Sequence, residues 1–183
     1  MNKPQGYDNY QVGGGKKLPA GGYICNIMNV EETKSKSGKD MIVISLDIKN
    51  GEYKDYYADK YKANKNINKK WGCNVYALTE GEYTNTFMGF CKSVELSNAV
   101  AISWGDNFGT QFKGKTVGVV FSEEEFQGDN GILVSVKPRY FLPVESIESG
   151  NFNIPEKKRL ANPQPAANCF HLATDIDDED LPF

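Results

Sequence analysis

Two stretches of the sequence mix aromatic rings with cations, a combination suited to binding a single-stranded nucleic acid. An aromatic ring that stacks on an exposed base gains roughly 1–3 kcal/mol whatever the base, while lysines contact the phosphates. Because aromatic rings also fill small cores, each ring could equally be structural, and Trp104 could be either. The candidate DNA-binding residues of this type are Lys54, Tyr56, Lys60, Tyr61, Lys62, Trp71, Lys137, Arg139 and Tyr140.

A further set of cations lies around a turn. Lys34, Lys36 and Lys39 flank a turn that contains Gly38. Lysines that meet phosphates release counterions, so the affinity they provide falls as the salt concentration rises. Lysines are also common at the exposed tips of hairpins, where they oppose edge-to-edge association. This turn therefore favours nucleic-acid binding only slightly by itself.

Strands are the elements expected to position these residues. In the second predicted strand, apolar residues recur at every other position, so they should share one buried face. That face consists of Ile42, Ile44, Leu46 and Ile48. The predicted strands are Tyr23–Thr33, Met41–Ile48, Tyr53–Lys62, Lys115–Phe126 and Ile132–Leu142. In the last of them, alternation places Lys137 and Arg139 outward and Val134 and Val136 inward.

One helix is predicted between the third and fourth strands. Thr86 is typical of an N-cap, and the helix should end near Asn98. Apolar residues at i, i+3, i+4 and i+7 form its buried stripe, namely Phe87, Phe90, Cys91 and Val94. This order of elements predicts an all-β fold, a five-stranded oligonucleotide/oligosaccharide-binding (OB-fold) Greek-key barrel with one helix between strands 3 and 4. Its first two strands form an extended basic hairpin.

The distribution of charge divides the chain. Of the 183 residues, 21 are basic and 24 acidic, for a net charge of −3. Residues 160–183 contain five acids and no Lys or Arg, so they carry −5 and the remainder carries +2. We expect a flexible N-terminal arm at 1–22, the OB-fold DNA-binding domain at 23–159, and a disordered acidic tail. The tail comprises a linker at 160–174 and a tip at 175–183.

Several classes of function are not supported by the sequence. The only histidine, His171, lies in the predicted linker, and no nucleophile elbow is present, so we expect no enzyme activity. The cysteines are too widely spaced for a typical zinc site, so we expect no metal or cofactor. The run Glu123–Glu125 is interpreted as a solvated strand end. No stretch approaches the roughly 18 apolar residues of a membrane span, and we expect a cytosolic protein.

The C-terminal tip combines acids with apolar residues. A free terminal phenylalanine offers a ring and a carboxylate, so a partner with an apolar pocket rimmed by Lys and Arg could bind both. The candidate protein-interaction residues are Asp177, Asp178, Asp180, Leu181, Pro182 and Phe183.

This ending resembles the acidic tip Asp-Asp-Asp-Ile-Pro-Phe of bacterial and bacteriophage single-stranded DNA-binding proteins, with Leu181 in place of the usual isoleucine. The body, including the hairpin at Lys34–Lys39, is more similar to phage-encoded members than to the housekeeping protein. The resemblance implies a barrel that coats single-stranded DNA during replication, recombination and repair. It also implies a tip that recruits proteins of those processes.

The expected function is sequence-tolerant binding and protection of single-stranded DNA in the cytosol of a bacterium or a phage-infected host. The chain could form a homo-oligomer, and a preference for DNA over RNA is not indicated by the residues. The alternative is an OB-fold protein-interaction scaffold that does not bind nucleic acid. Exposed strips of cations and aromatics distinguish the two, because a scaffold has no need of them.

Overall fold

The computed structural model describes residues 16–81, 84–128 and 131–161. These residues contain five β-strands, three α-helices and a 3₁₀ helix. The elements, in chain order, are β1 Gly21–Lys34, β2 Asp40–Ile48, α1 Tyr56–Ala63, β3 Asn74–Leu78, α2 Asn85–Asn98, the 3₁₀ helix Phe108–Phe112, β4 Thr116–Gly128, β5 Gly131–Leu142 and α3 Val144–Glu148.

The five strands form one antiparallel sheet in the order β3-β2-β1-β4-β5. In the described ranges β3 and β5 are not paired with each other, so the sheet is open. The predicted mainly-β fold is confirmed, as are five strands with a helix between the third and fourth. The structure also contains α1 and α3, which the sequence pattern did not predict.

The core lies between the sheet and α2. The predicted buried face of β2 is confirmed, since its four apolar side chains are at most 1% exposed. The apolar stripe of α2 is buried as predicted, and Phe90 packs against Phe112 and Phe141 with ring centroids 4.9 and 5.1 Å apart. The N-cap is Thr84 rather than Thr86, and its side chain makes no capping hydrogen bond.

The prediction of a third strand at Tyr53–Lys62 is wrong, because most of this segment is α1. The third strand is instead Asn74–Leu78, which pairs with β2. Tyrosine favours strands by propensity, but Tyr57 gains burial in the core as part of a helix. The helix begins after Asp55, which has left-handed backbone angles that turn the chain (φ 57°).

The side chains of β5 do not alternate strictly between buried and exposed positions. The register shifts between Val120 and Phe121 of β4, opposite the residues around Pro138. Val134, predicted to be buried, is 50% exposed, because β4 and β5 extend beyond the end of β1 as a two-stranded ribbon. We call residues 122–128 and 131–137 the β4–β5 ribbon.

Two segments outside the five strands pack against the sheet, one before β1 and one after α3. Leu18 is buried in the core, although residues 1–22 were expected to form a flexible arm. Lys158 pairs in parallel with Glu124, and its backbone exchanges hydrogen bonds of 3.0 and 2.9 Å with Glu123 and Glu125. Residues 1–15, most of the linker and the whole acidic tip lie outside the described residues.

The interpretation of Glu123–Glu125 as a solvated strand end is wrong for two of its three residues. Lys158 Nζ lies 2.9 Å from a Glu124 carboxylate oxygen, and Lys157 Nζ lies 3.1 Å from one of Glu125. Hydrogen bonds from these lysines lower the pKa of both carboxyl groups. The acids therefore hold the segment that follows α3 against β4.

Three cysteines are buried as free thiols, and we call Cys25, Cys73 and Cys91 the core thiols. Burial raises the pKa of all three, to about 12 for Cys73 and Cys91. Cys169 lies outside the described residues. Within the described part of the chain, no helix is long and apolar enough to cross a membrane.

Candidate nucleic-acid interface

A groove of about 640 Å³ lies between α1 and the β4–β5 ribbon. It brings together three of the predicted residues, Tyr56, Lys60 and Lys137, from two distant parts of the chain. Its other polar and aromatic lining comes from Lys17, Tyr53, Tyr57, Glu123 and Ser135, and its apolar lining includes Val134 and Val136. We call this cavity the α1 groove. It combines three cations and three rings with one acid.

The position of α1 depends on a buried carboxylate. Asp47 of β2 is 2% exposed and accepts three backbone hydrogen bonds. Its Oδ1 accepts from Ile48 at 2.8 Å and from Tyr57 at 2.9 Å, and its Oδ2 accepts from Ala58 at 3.0 Å. Because the first N–H groups of a helix lack partners within the helix, Asp47 supplies the cap that Asp55 does not provide. One turn apart on α1, Tyr56 and Lys60 then line the groove together.

The tyrosine rings of the groove are held by edge-to-face contacts. Tyr53 packs against Tyr23 and Tyr56, with centroids 6.2 and 6.1 Å apart, and Tyr56 packs against Tyr57 at 5.0 Å. The Tyr56 hydroxyl accepts a hydrogen bond of 3.1 Å from the Leu18 backbone. Burial raises the pKa of Tyr23 to about 12 and raises that of Tyr57 as well. Both phenols are therefore neutral at physiological pH.

Two lysines lie over these rings. Lys60 Nζ is 4.3 Å from the Tyr56 centroid and 2.5 Å from its hydroxyl oxygen. Lys16 Nζ is 4.7 Å from the Tyr53 centroid and forms a 2.9 Å ion pair with Glu52. Cation–π contacts at exposed sites are worth about 0.5–1 kcal/mol and exposed ion pairs about 0–1 kcal/mol, so a phosphate has to replace both the ring contact and the second partner of each lysine.

A second aromatic surface, the Trp71 platform, consists of Tyr61, Lys69 and Trp71. The indole N–H of Trp71 donates a 2.8 Å hydrogen bond to the Leu46 carbonyl, which fixes the ring at the end of β2. Tyr61 packs on it at 5.6 Å, and Lys69 Nζ lies 4.4 Å from the Tyr61 centroid. Both rings are partly exposed, so they can meet a base. Two of the predicted residues are thus brought together here.

The three lysines of the β1–β2 hairpin differ in whether they form an ion pair. Lys34 forms an exposed 2.5 Å ion pair with Asp40, and the hydrogen bond to Asp40 raises its pKa. Lys36 and Lys39 are exposed and form no ion pair within the described ranges. The turn between them is fixed by Gly38, whose φ of 81° suits glycine. Lys36 and Lys39, two of the three predicted cations, therefore remain available for contacts with phosphates.

The structure does not bring the remaining predicted residues into one surface. Arg139 was predicted to point outward, but it is largely buried, donates to the Ser122 hydroxyl at 2.7 Å and lies 3.8 Å from Glu124. The Tyr140 hydroxyl donates to the Asn153 carbonyl, so it holds the segment that follows α3. Lys54 is exposed, and Lys62 forms a 3.5 Å ion pair with Asp59.

Sequence reasoning missed Tyr76, and two other residues outside the predicted DNA-binding set, Trp104 and Lys17, also have exposed or groove-lining side chains. Tyr76 is 63% exposed on β3, and its neighbour Ala77 is buried on the opposite face. Alternation within Asn74–Leu78 would have indicated this exposure, had that strand been predicted. Trp104 is 68% exposed. Lys17 lines the α1 groove, although it precedes β1.

A comparison with protein families gives one match. A family model described as "Protein of unknown function (DUF669)" matches residues 5–146, well over half of the chain. No curated protein matches the chain significantly.

Proposed function

The chain belongs to the DUF669 family, and we propose that this member binds single-stranded DNA with little sequence preference. The observation that carries the proposal is the α1 groove. It places Tyr53 and Tyr56 beside Lys17, Lys60 and Lys137, and an apolar wall faces them. Rings can stack on bases of any identity while the cations contact phosphates, which is the chemistry of sequence-tolerant single-strand binding.

We propose further that the open sheet is an OB-type barrel. The order β3-β2-β1-β4-β5 becomes a closed five-stranded barrel if its two edge strands approach each other. Helix α2 follows β3, as the barrel helix does in the expected topology. OB folds bind oligonucleotides on the face of strands 2 and 3 and on the loops between strands 1 and 2 and strands 4 and 5. In this chain those places hold Tyr76, the hairpin lysines and the ribbon.

The affinity should depend only moderately on salt. The contacts proposed for phosphates come from about five lysines, those of the α1 groove together with Lys36 and Lys39. Each phosphate contact to a single strand contributes about −0.7 to the slope of log K against log salt concentration, so we expect a slope near −3.5. This modest value agrees with the charge of only +2 on residues 1–159.

The acidic tip, residues 175–183, lies outside the described residues, and its role rests on its sequence. We propose that Phe183 and the acids before it recruit replication, recombination and repair proteins. In this proposal the protein acts in the cytosol of a bacterium or phage-infected host and protects single strands there. A homo-oligomer would let neighbouring grooves cover a longer strand.

The test is the anisotropy of labelled oligo-dT titrated with the full chain at several salt concentrations. The double variant Lys60→Gln/Lys137→Gln removes two groove cations, so its slope should be shallower by about 1.4. Lys113→Gln is the matched control, because Lys113 is exposed and lies outside the α1 groove. An unchanged slope in the double variant would show that the groove does not bind phosphates. Absence of binding at low salt, with retention of partner capture through the tip, would favour the scaffold alternative.

A further inference from the structure

A second cavity, of about 580 Å³, lies at the opposite end of β1 from the α1 groove. One wall is the β1–β2 hairpin, represented by Lys34 and Met41. The other wall is aromatic and consists of Phe87, Trp104 and Phe108. We call this cavity the Trp104 pocket. None of its residues contributes to the α1 groove or to the Trp71 platform.

The indole of Trp104 is both exposed and fixed in place. It stacks on Phe108 with centroids 5.2 Å apart and an interplanar angle of 23°, and it meets Phe87 edge-on at 6.1 Å. Although 68% of the residue is exposed, its ring therefore has two aromatic supports. A ring held in this way loses little conformational freedom when a planar ligand stacks on it.

Hydrogen bonds hold the loop that carries Trp104. The amide of Gln111 accepts from the Ser103 backbone N–H at 2.8 Å and donates to the Ser103 carbonyl at 2.8 Å. Below it, Gly109 passes so close to β1 that a Cβ atom would lie 2.3 Å from the Val30 carbonyl oxygen. The pocket is thus formed by backbone that is tightly packed on β1.

Three charged residues line the pocket, the acids Glu32 and Asp40 and the lysine Lys34, and both acids already have partners. Glu32 accepts a 3.1 Å hydrogen bond from the Gly109 backbone, and Asp40 is paired with Lys34. The acid Glu80 accepts a weak 3.4 Å hydrogen bond from the Asp40 backbone. Lys36 and Lys39, at the tip of the same hairpin, have no ion pair within the described residues. Along the chain these lysines lie within two residues of Lys34 and Asp40, which line the pocket, so an anionic ligand whose planar group enters the pocket can extend toward them.

We propose that the Trp104 pocket takes a nucleobase, so that Trp104 is a further stacking site for the single strand that occupies the α1 groove and the Trp71 platform, which adjoin at Gly72. This inference rests on the proposed function. A strand has a base to stack on the indole and adjacent phosphates for Lys36 and Lys39, whereas an apolar peptide would use only the aromatic wall.

The two sites lie near opposite ends of β2. Trp71 contacts the Leu46 carbonyl, and the pocket is lined by Met41, five residues earlier on the same strand. At about 3.3 Å per residue, these positions are separated by roughly 17 Å. Because the α1 groove, next to the Trp71 platform, supplies three of the five proposed phosphate contacts, a short oligonucleotide should bind at that end, whereas a longer one reaches both tryptophans.

The experiment uses the full chain labelled with fluorotryptophan. The sequence contains two tryptophans, so fluorine NMR should give two signals, and Trp104→Phe assigns them without changing a buried side chain. Oligo-dT of increasing length is then titrated. The Trp71 signal should shift with every oligonucleotide that binds, and the Trp104 signal should shift only above a threshold length. In a parallel titration, Trp104→Ala should weaken binding of long oligonucleotides by roughly 5- to 150-fold, the value of one base stack, and leave short ones unaffected.

The outcomes separate this inference from the proposed function. A Trp104 signal that never moves while the Trp71 signal does would refute the second stacking site and leave DNA binding intact. If neither signal moves while labelled oligo-dT still binds by anisotropy, the second stacking site is likewise refuted; if the anisotropy is also unchanged at low salt, the proposed function itself is wrong. If the Trp104 signal is unchanged by DNA but shifts with a short apolar peptide, the pocket is a protein-docking site and the nucleobase assignment is overturned.

Discussion

Replacing Asp47 by alanine should destabilise the whole domain, because three backbone N–H groups would lose their acceptor. Two of them, on Tyr57 and Ala58, begin α1, and the third is on Ile48 inside β2. Hydrogen bonds to a charged group contribute about 1.5–3 kcal/mol each, and removal of a helix cap costs about 0.5–2 kcal/mol. These contributions are not additive, since α1 can fray and expose its N–H groups to water. We therefore expect a loss of about 3 kcal/mol.

Urea denaturation followed by far-UV circular dichroism measures this loss. With an m-value of about 2 kcal/mol/M, the midpoint should fall by about 1.5 M. Asp59→Ala is the matched control, because Asp59 is exposed and its ion pair with Lys62 is worth less than about 1 kcal/mol. Since α1 carries Tyr56 and Lys60, Asp47→Ala should also weaken binding of oligo-dT under conditions where the domain is still folded. A midpoint within experimental error of the wild-type value would refute the role assigned to Asp47.

Three further predictions concern local parts of the structure. Glu125→Gln should speed tryptic cleavage after Lys157 several-fold at neutral pH, whereas Glu123→Gln should not, because the Glu123 side chain forms no ion pair within the described residues. Since the folded pKa of Glu125 is lowered, the stability it provides is present above the unfolded pKa and should be lost as the pH falls through the folded value, seen as lower amide protection factors of this segment in NMR once the observed rates are divided by the intrinsic rates at each pH. Gly109→Ala should cost about 1–3 kcal/mol in urea denaturation, since its Cβ would meet a backbone carbonyl, whereas Gly89→Ala in the open middle of α2 should be neutral or stabilising. At pH 8 the core thiols should react with a thiol reagent only after unfolding, because burial keeps them protonated; rapid reaction in the native state would contradict their placement.

The local periodicity of apolar residues was sufficient to predict the buried side chains of an element that has one buried face. The alternation in β2 and the stripe on α2 were both predicted, because each pattern is contained in a short segment. Helix α1 was missed because its cap, Asp47, lies in another element and cannot be recognised from the sequence of the helix. Several tyrosines in the segment 53–61 also raise its strand propensity, which burial of Tyr57 overrides.

The sequence indicated some of the residues that the fold brings together in the candidate site, but not their full arrangement. The mixture of rings and lysines indicated Tyr56, Lys60 and Lys137, which the fold brings into one groove. Arg139 was misplaced because the register shift in β4 and β5 changes which side chains face outward. The exposure of Trp104 follows from its place above the 3₁₀ helix, and no pattern in the sequence distinguishes it from a core residue.

In the proposed function, the domain binds single-stranded DNA through exposed rings and lysines. The most direct measurement is quenching of intrinsic tryptophan fluorescence by oligo-dT at low and high salt, with a duplex of equal length as the comparison. We expect strong quenching by the single strand, weaker binding to the duplex, and affinity that falls as salt increases. Absence of both quenching and an anisotropy change of labelled oligo-dT at low salt, or tighter binding to the duplex than to the single strand, would contradict single-strand binding.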